Sequence, residues 1–140
     1  MNSYLALRDR KFDVTSAVVR KSDGLWRVEI ETAPKEFDGE TWSPALAHQG
    51  LRMPAHAPAG LAGATTSWRS SSDAAYPHPE LALMYVFGHH AVYDATLTFG
   101  RFSEGHIELV WIGLCDVFWA DDFTEAVPFE CRCVASVMHG

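Results

Sequence analysis

Lys21-Ser22-Asp23-Gly24-Leu25-Trp26-Arg27-Val28-Glu29-Ile30-Glu31 decides the fold class of this 140-residue chain. Trp26, Val28 and Ile30 recur at every second position, with Arg27, Glu29 and Glu31 between them. In an extended chain alternate side chains point to opposite faces, so this spacing predicts a strand with one face buried and one in water. Asp23-Gly24 is the turn chemistry of a tight hairpin, and it joins this strand to a second β-rich run over Phe12–Arg20.

The same period continues outward. In Val92–Arg101, Tyr93, Ala95, Leu97 and Phe99 oppose Asp94, Thr96 and Thr98. Ser103-Glu104-Gly105 then predicts a second hairpin leading into a strand from His106. Ile107–Phe118 is apolar on both sides in its middle, with Leu109, Trp111 and Cys115 on one and Val110, Ile112 and Leu114 on the other, and is expected to be a central strand covered on both faces. Gly113 within it marks a bulge or a close backbone approach. A last strand is expected over Val127–Val137, with Pro128 at its start, where no ladder donor is needed.

Two segments read differently. Residues 34–80 hold six of the seven prolines and several Ala, Gly and Ser clusters. They predict a long irregular connection with short strands at Glu40–Trp42 and Ala64–Arg69. In residues 80–87, Pro79-Glu80 is a helix-start signal whereas Tyr85-Val86-Phe87 prefers a strand, and the break at Gly88-His89-His90 favours a third hairpin. The expected fold is mainly β, an antiparallel two-layer sheet or β-sandwich around a long irregular middle connection. The alternative is an α+β fold with one short helix near residues 80–87.

Bulk properties bound the function. The length suits a single domain over residues 1–140, and 48% hydrophobic with 21% charged residues is a globular composition. No apolar run approaches the roughly 20 residues of a membrane span. Arg8-Asp9-Arg10 follows a short apolar patch, the reverse of a secretory signal, so the expected location is cytoplasmic. Three cysteines with no C-x-x-C pair read as reduced thiols, and Cys131 and Cys133 share a strand face with Val127, Phe129, Ala135 and Val137. The net charge of −7 is uneven. Residues 1–35 carry seven Lys/Arg against five Asp/Glu, and residues 36–140 carry four against thirteen, a balance of +2 and then −9. Such a surface repels nucleic-acid phosphate and favours a basic protein partner.

No pattern points to catalysis, a cofactor or a metal. The seven histidines include no H-E-x-x-H motif, and the adjacent His89 and His90 face opposite ways in an extended chain. Cys115 lies beside Asp116, whose charge disfavours a thiolate. Asp116, Asp121, Asp122 and Glu125 lack calcium-loop spacing. The expectation is a protein with no catalytic residue, no cofactor and no metal.

What remains is the acidic, aromatic stretch Trp119-Ala120-Asp121-Asp122-Phe123-Thr124-Glu125. Trp119 and Phe123 beside Asp121, Asp122 and Glu125 form the expected partner-binding surface, with aromatic anchors for energy and one sign of charge for encounter and selection. The plain alternative is that both aromatics turn into the core. A second functional reading is a small-ligand protein or enzyme with an aromatic-lined cavity between the sheets, served by His89, His90 or His78. A third is a homo-oligomer paired through strand edges.

Small size, β-rich patterning, acidity and the absence of catalytic motifs, together with Leu114-Cys115-Asp116-Val117-Phe118-Trp119 followed by Val127-Pro128-Phe129, resemble the immunity proteins that bacteria encode beside polymorphic toxins. The resemblance is one of overall type across the whole chain. It implies a protein that binds a cognate toxin domain and blocks its active site, and it assigns no residue a role.

Overall fold

A computed structural model of the chain describes residues 3–22, 24–51, 53, 57–69, 82–119 and 122–139; the side chains of Ser22, His89, Trp119 and His139 lie outside that description. Eleven strands occur among these residues: β1 Tyr4–Leu7, β2 Arg10–Ser22, β3 Leu25–Thr32, β4 Lys35–Phe37, β5 Glu40–Trp42, β6 Ala45–Leu51, β7 Thr65–Trp68, β8 Ala82–Tyr85, β9 His89–Ser103, β10 His106–Trp119 and β11 Asp122–His139. A single 3-10 turn, Pro58–Leu61, accompanies them.

The mainly antiparallel β character agrees with the sequence pattern, but the sheet closes into a barrel instead of forming a sandwich. Round the wall the order is β1, β2, β3, β6, β8, β9, β10, β11 and back to β1. β1 pairs antiparallel with both β2 and β11, so those two run parallel to each other. Beyond the end of β1 they meet directly, Ser136–His139 against Val18–Lys21. That parallel seam joins residues more than a hundred positions apart. Period-two alternation shows which face is buried, and it is the same whether a sheet folds over or closes on itself.

Three hairpins form where turn chemistry places them, closed by the pairs Ser22 with Leu25, Ser103 with His106, and Tyr85 with His89. The last replaces the helix considered near residues 80–87, since Ala82–Tyr85 is strand β8. The middle of the chain needs a larger correction. Besides β5 and β7 it contains β4 and the seven-residue β6, a full wall strand between β3 and β8. Its inward residues are Leu46, His48 and Gly50, a period-two set whose small and polar members hid it.

The interior is packed with Trp26, Trp111, Phe12, Phe99, Leu5, Leu7, Ile30, Leu46 and Leu97, all buried. Burial of each such side chain contributes roughly 1.5–3 kcal/mol. Cys115, Cys131 and Cys133 are buried free thiols facing this core. Burial, and then the neighbouring Asp116, pushes the Cys115 thiol up to about 12. His48 is the one histidine buried outright among the described residues; its Nδ1 accepts the Gly50 N–H at 3.1 Å and its ring lies edge-on to Trp68 at 5.3 Å.

β10 is not covered on both faces as its composition suggested. Ile107, Leu109, Trp111, Cys115 and Val117 are buried, but Ile112 is 46% exposed and Val110 and Leu114 are only half-buried. A closed barrel has one packed side, so the outer apolar residues of β10 face water. Gly113 points inward; a Cβ there would lie 2.8 Å from Ala95 Cβ and 3.1 Å from Phe129. Opposite it the register of β9 slips at Asp94, whose φ of 44° marks a bulge. The slip buries Val92 and leaves Tyr93 half-exposed, correcting the expected inward place of Tyr93.

Candidate functional site

The backbone of Trp119 and of residues 122–125, read as part of a loop after a core strand, belongs to the paired end of the β10–β11 ribbon. β10 pairs with β11 continuously to Phe118 opposite Phe123 and Trp119 opposite Asp122. Only positions 120 and 121 lie between the strands. β9 follows β10 only as far as Val92 opposite Cys115, and β1 meets β11 only from Phe129 onward. Among the described strand pairings, the segment from Asp116 to Ala126 therefore pairs only within the β10–β11 hairpin. β11 thus begins at Asp122 and not at Val127. Pro128 stands inside the strand, close to a bulge that tolerates it.

A small polar network sets the ribbon's angle. Between Cys115 and Val117 the register shifts, so Glu125 and Ala126 together face Asp116. Ala126 adopts φ 55°, the left-handed conformation that bulges use and that alanine disfavours. Its N–H donates to Asp116 Oδ1 at 2.9 Å and approaches Tyr93 Oη at 3.0 Å, while Tyr93 Oη–H donates to the same carboxylate oxygen at 2.7 Å. Burial and the bond to Asp116 push the Tyr93 phenol up to about 12, so it remains a donor at neutral pH. One carboxylate thus joins β9, β10 and β11 at the base of the ribbon. A bulge there increases twist and redirects the side chains beyond it.

Beyond the bulge, Phe118 and Phe123 sit directly across from each other with ring centroids 5.6 Å apart and planes at 66°. An edge-to-face cross-strand pair of this kind contributes about 0.5–1 kcal/mol to the ribbon. Both rings nevertheless face water, at 54% and 52% exposure. Asp122 and Glu125 beside them are exposed. No lysine or arginine occurs between Arg101 and Arg132, so residues 116–126 carry no cationic side chain.

Of the five expected contact residues, the structure brings Asp122, Phe123 and Glu125 together on this ribbon, all exposed. Trp119 belongs to β10 by its backbone, its side chain lying outside the described residues, as does the whole of Asp121. Phe118, read as part of the core strand, is the residue missed. Its signal was available: it shares parity with Glu108, Ile112 and Asp116, opposite to Trp111, Cys115 and Val117.

The other candidate chemistry is dispersed. His90 is half-buried with its ring 6.5 Å from that of Phe118, His106 is exposed, and His78 and the side chain of His89 lie outside the described residues. Among the described residues no group of three or more His, Cys, Asp or Glu side chains converges to hold a metal ion, and no helix is long and apolar enough to cross a membrane. Compared with family models, with curated proteins and with solved structures, the chain matches none.

Proposed function

We propose that this barrel is a protein-binding module that docks onto a basic partner through the β10–β11 ribbon, and that the partner is a toxin domain the module neutralises, as the resemblance to immunity proteins implies. The observation that carries the reading is the pairing of two half-exposed phenylalanines with Asp122 and Glu125 on a stretch of the β10–β11 ribbon that holds no lysine or arginine. Aromatic rings held in one geometry lose little conformational entropy on contact and supply most of the energy at interfaces. Acids around them speed encounter with a basic surface and select against acidic ones. Ribbon chemistry also disfavours self-association, since a second ribbon would bring Asp122 and Glu125 against their own kind.

Recovery of the partner on immobilised protein from the native cell, followed by affinity measurement at two salt concentrations, tests the reading. Asp121→Lys with Asp122→Lys is expected to weaken binding at least about tenfold, near 1.4 kcal/mol, and to flatten its salt dependence. Unchanged affinity in that variant, or a partner whose surface is acidic, contradicts it.

A further inference from the structure

The outer face of β9, β10, β11, β1 and β2 carries two neighbouring rows of side chains whose charges are exchanged. Register aligns Thr98, Val110, Arg132, Tyr4 and Asp13 in one row across the strands. Two positions along, the next outward row is Thr96, Ile112, Glu130, Ala6 and Lys11. None of these residues is buried, whereas the positions between them, Leu97, Trp111, Cys131, Leu5 and Phe12, point into the core. Each row therefore presents an apolar residue on β10, a charge on β11 and the opposite charge on β2. Arg132 and Asp13 in the first row become Glu130 and Lys11 in the second.

A two-fold axis lying in the plane of this wall, across the strands and midway between the rows, sets each row against the other row of a second copy. Val110 then meets Ile112, Thr98 meets Thr96, Arg132 meets Glu130 and Lys11 meets Asp13. Every contact occurs twice, as an isologous interface requires. In the flanking rows Val134 comes against Pro128, and Glu108 against Leu114. The Glu108 carboxylate leans toward Gly100 on β9, with Oε2 3.6 Å from where a Cβ there would lie, so its methylene stem covers Leu114. Apolar surface stands open at the centre of the face, Ile112 at 46% and Val134 at 38% exposure. The charges beside it are already held. Arg132 Nε lies 3.5 Å from Glu130, which also accepts the Tyr4 hydroxyl, and the Lys11 ammonium sits 4.2 Å over the Tyr4 ring. Side chains fixed in this way lose little further entropy on contact.

We propose that the protein self-associates through this wall, its partner a second copy of the chain related by that two-fold axis. The contact uses no residue of 116–126 and stands apart from the ribbon reading. Four strands about 4.8 Å apart, over seven residues of each, present roughly 400 Å² per copy, below the ~1,200 Å² total of a standard interface. The net charge of −7 also opposes association. The dimer is therefore weak and concentration-dependent, with a dissociation constant on the order of 0.1 mM.

Sedimentation velocity of the whole protein between about 10 μM and about 1 mM brackets that constant and tests the proposal. A reversible shift from monomer to dimer is expected, and Ile112→Lys is expected to weaken it at least tenfold. Arg132→Glu leaves only acids, and Glu130→Arg only cations, where the two copies meet on β11. Each variant alone is expected to stay monomeric, and their equimolar mixture to form the dimer again. A native protein that is monomeric throughout the range overturns the proposal. So does a dimer that Ile112→Lys and both charge variants leave unchanged, or a mixture of the charge variants that associates no more than either alone.

Discussion

Ala126 is the residue at which local strain and the proposed contact surface meet. Its left-handed backbone is held by the N–H bond to Asp116, and glycine adopts that conformation without the Cβ penalty. Ala126→Gly is expected to raise stability by about 0.5–1 kcal/mol in urea unfolding. Asp116→Ala removes the acceptor of two hydrogen bonds and is expected to cost about 1–3 kcal/mol. It should also speed amide exchange in the ribbon beyond its effect on the rest of the barrel. Gly113→Ala drives a methyl group into Ala95 and Phe129 and is expected to cost about 1–3 kcal/mol. His48 gives the fold a pH dependence. Burial lowers its pKa to about 4 from the ordinary 6.5, so the native state holds the ring neutral while the unfolded chain takes up a proton. Stability is therefore complete above pH 6.5 and falls as the pH drops toward 4, by about 3 kcal/mol from this group. Unfolding curves at pH 7 and pH 4.5 for the native protein and His48→Gln should show that slope shrinking in the variant.

At the scale of elements, what could be read from the sequence was what local chemistry specifies. Turn residues at Asp23-Gly24, Glu104-Gly105 and Gly88 placed three hairpins, and the alternation in Leu25–Ala33 placed a strand with its buried face. β6 escaped because Ala45, Ala47 and Gly50 carry little strand preference and its inward positions include a histidine. β1 escaped because four residues form a strand only when two neighbours supply the pairing. The ribbon was legible in composition but not in form. Acids with aromatics read as a loop, whereas register carries the ladder to Trp119 and Asp122. Glu125 and Ala126 make that possible, since the bulge they form is set by a tyrosine and an aspartate on two other strands. No local pattern contains that information.

For the whole molecule, closure matters more than any single strand. Pairing of β11 with β1, extended by its parallel contact with β2, closes the row of strands into a barrel. It fixes the β1–β2, β4–β5, β8–β9 and β10–β11 connections at one mouth, although their sequences are scattered along the chain. Four of the exposed large apolar side chains, Tyr85, Phe87, Phe118 and Phe123, gather at that end. Of these, Phe123 was expected at a contact surface and the parity of Phe118 already set it outward, whereas no local pattern places Tyr85 and Phe87 at the same end. The central claim is that this end, and the ribbon above all, is where a basic protein is held. Hydrogen–deuterium exchange of the protein alone and bound to its recovered partner tests it most directly. Slowed exchange is expected over residues 116–126, with the opposite end at Gly24 and Gly105 unchanged. Protection confined to the β2–β3 and β9–β10 turns, with the ribbon exchanging as fast as in the free protein, would contradict the account.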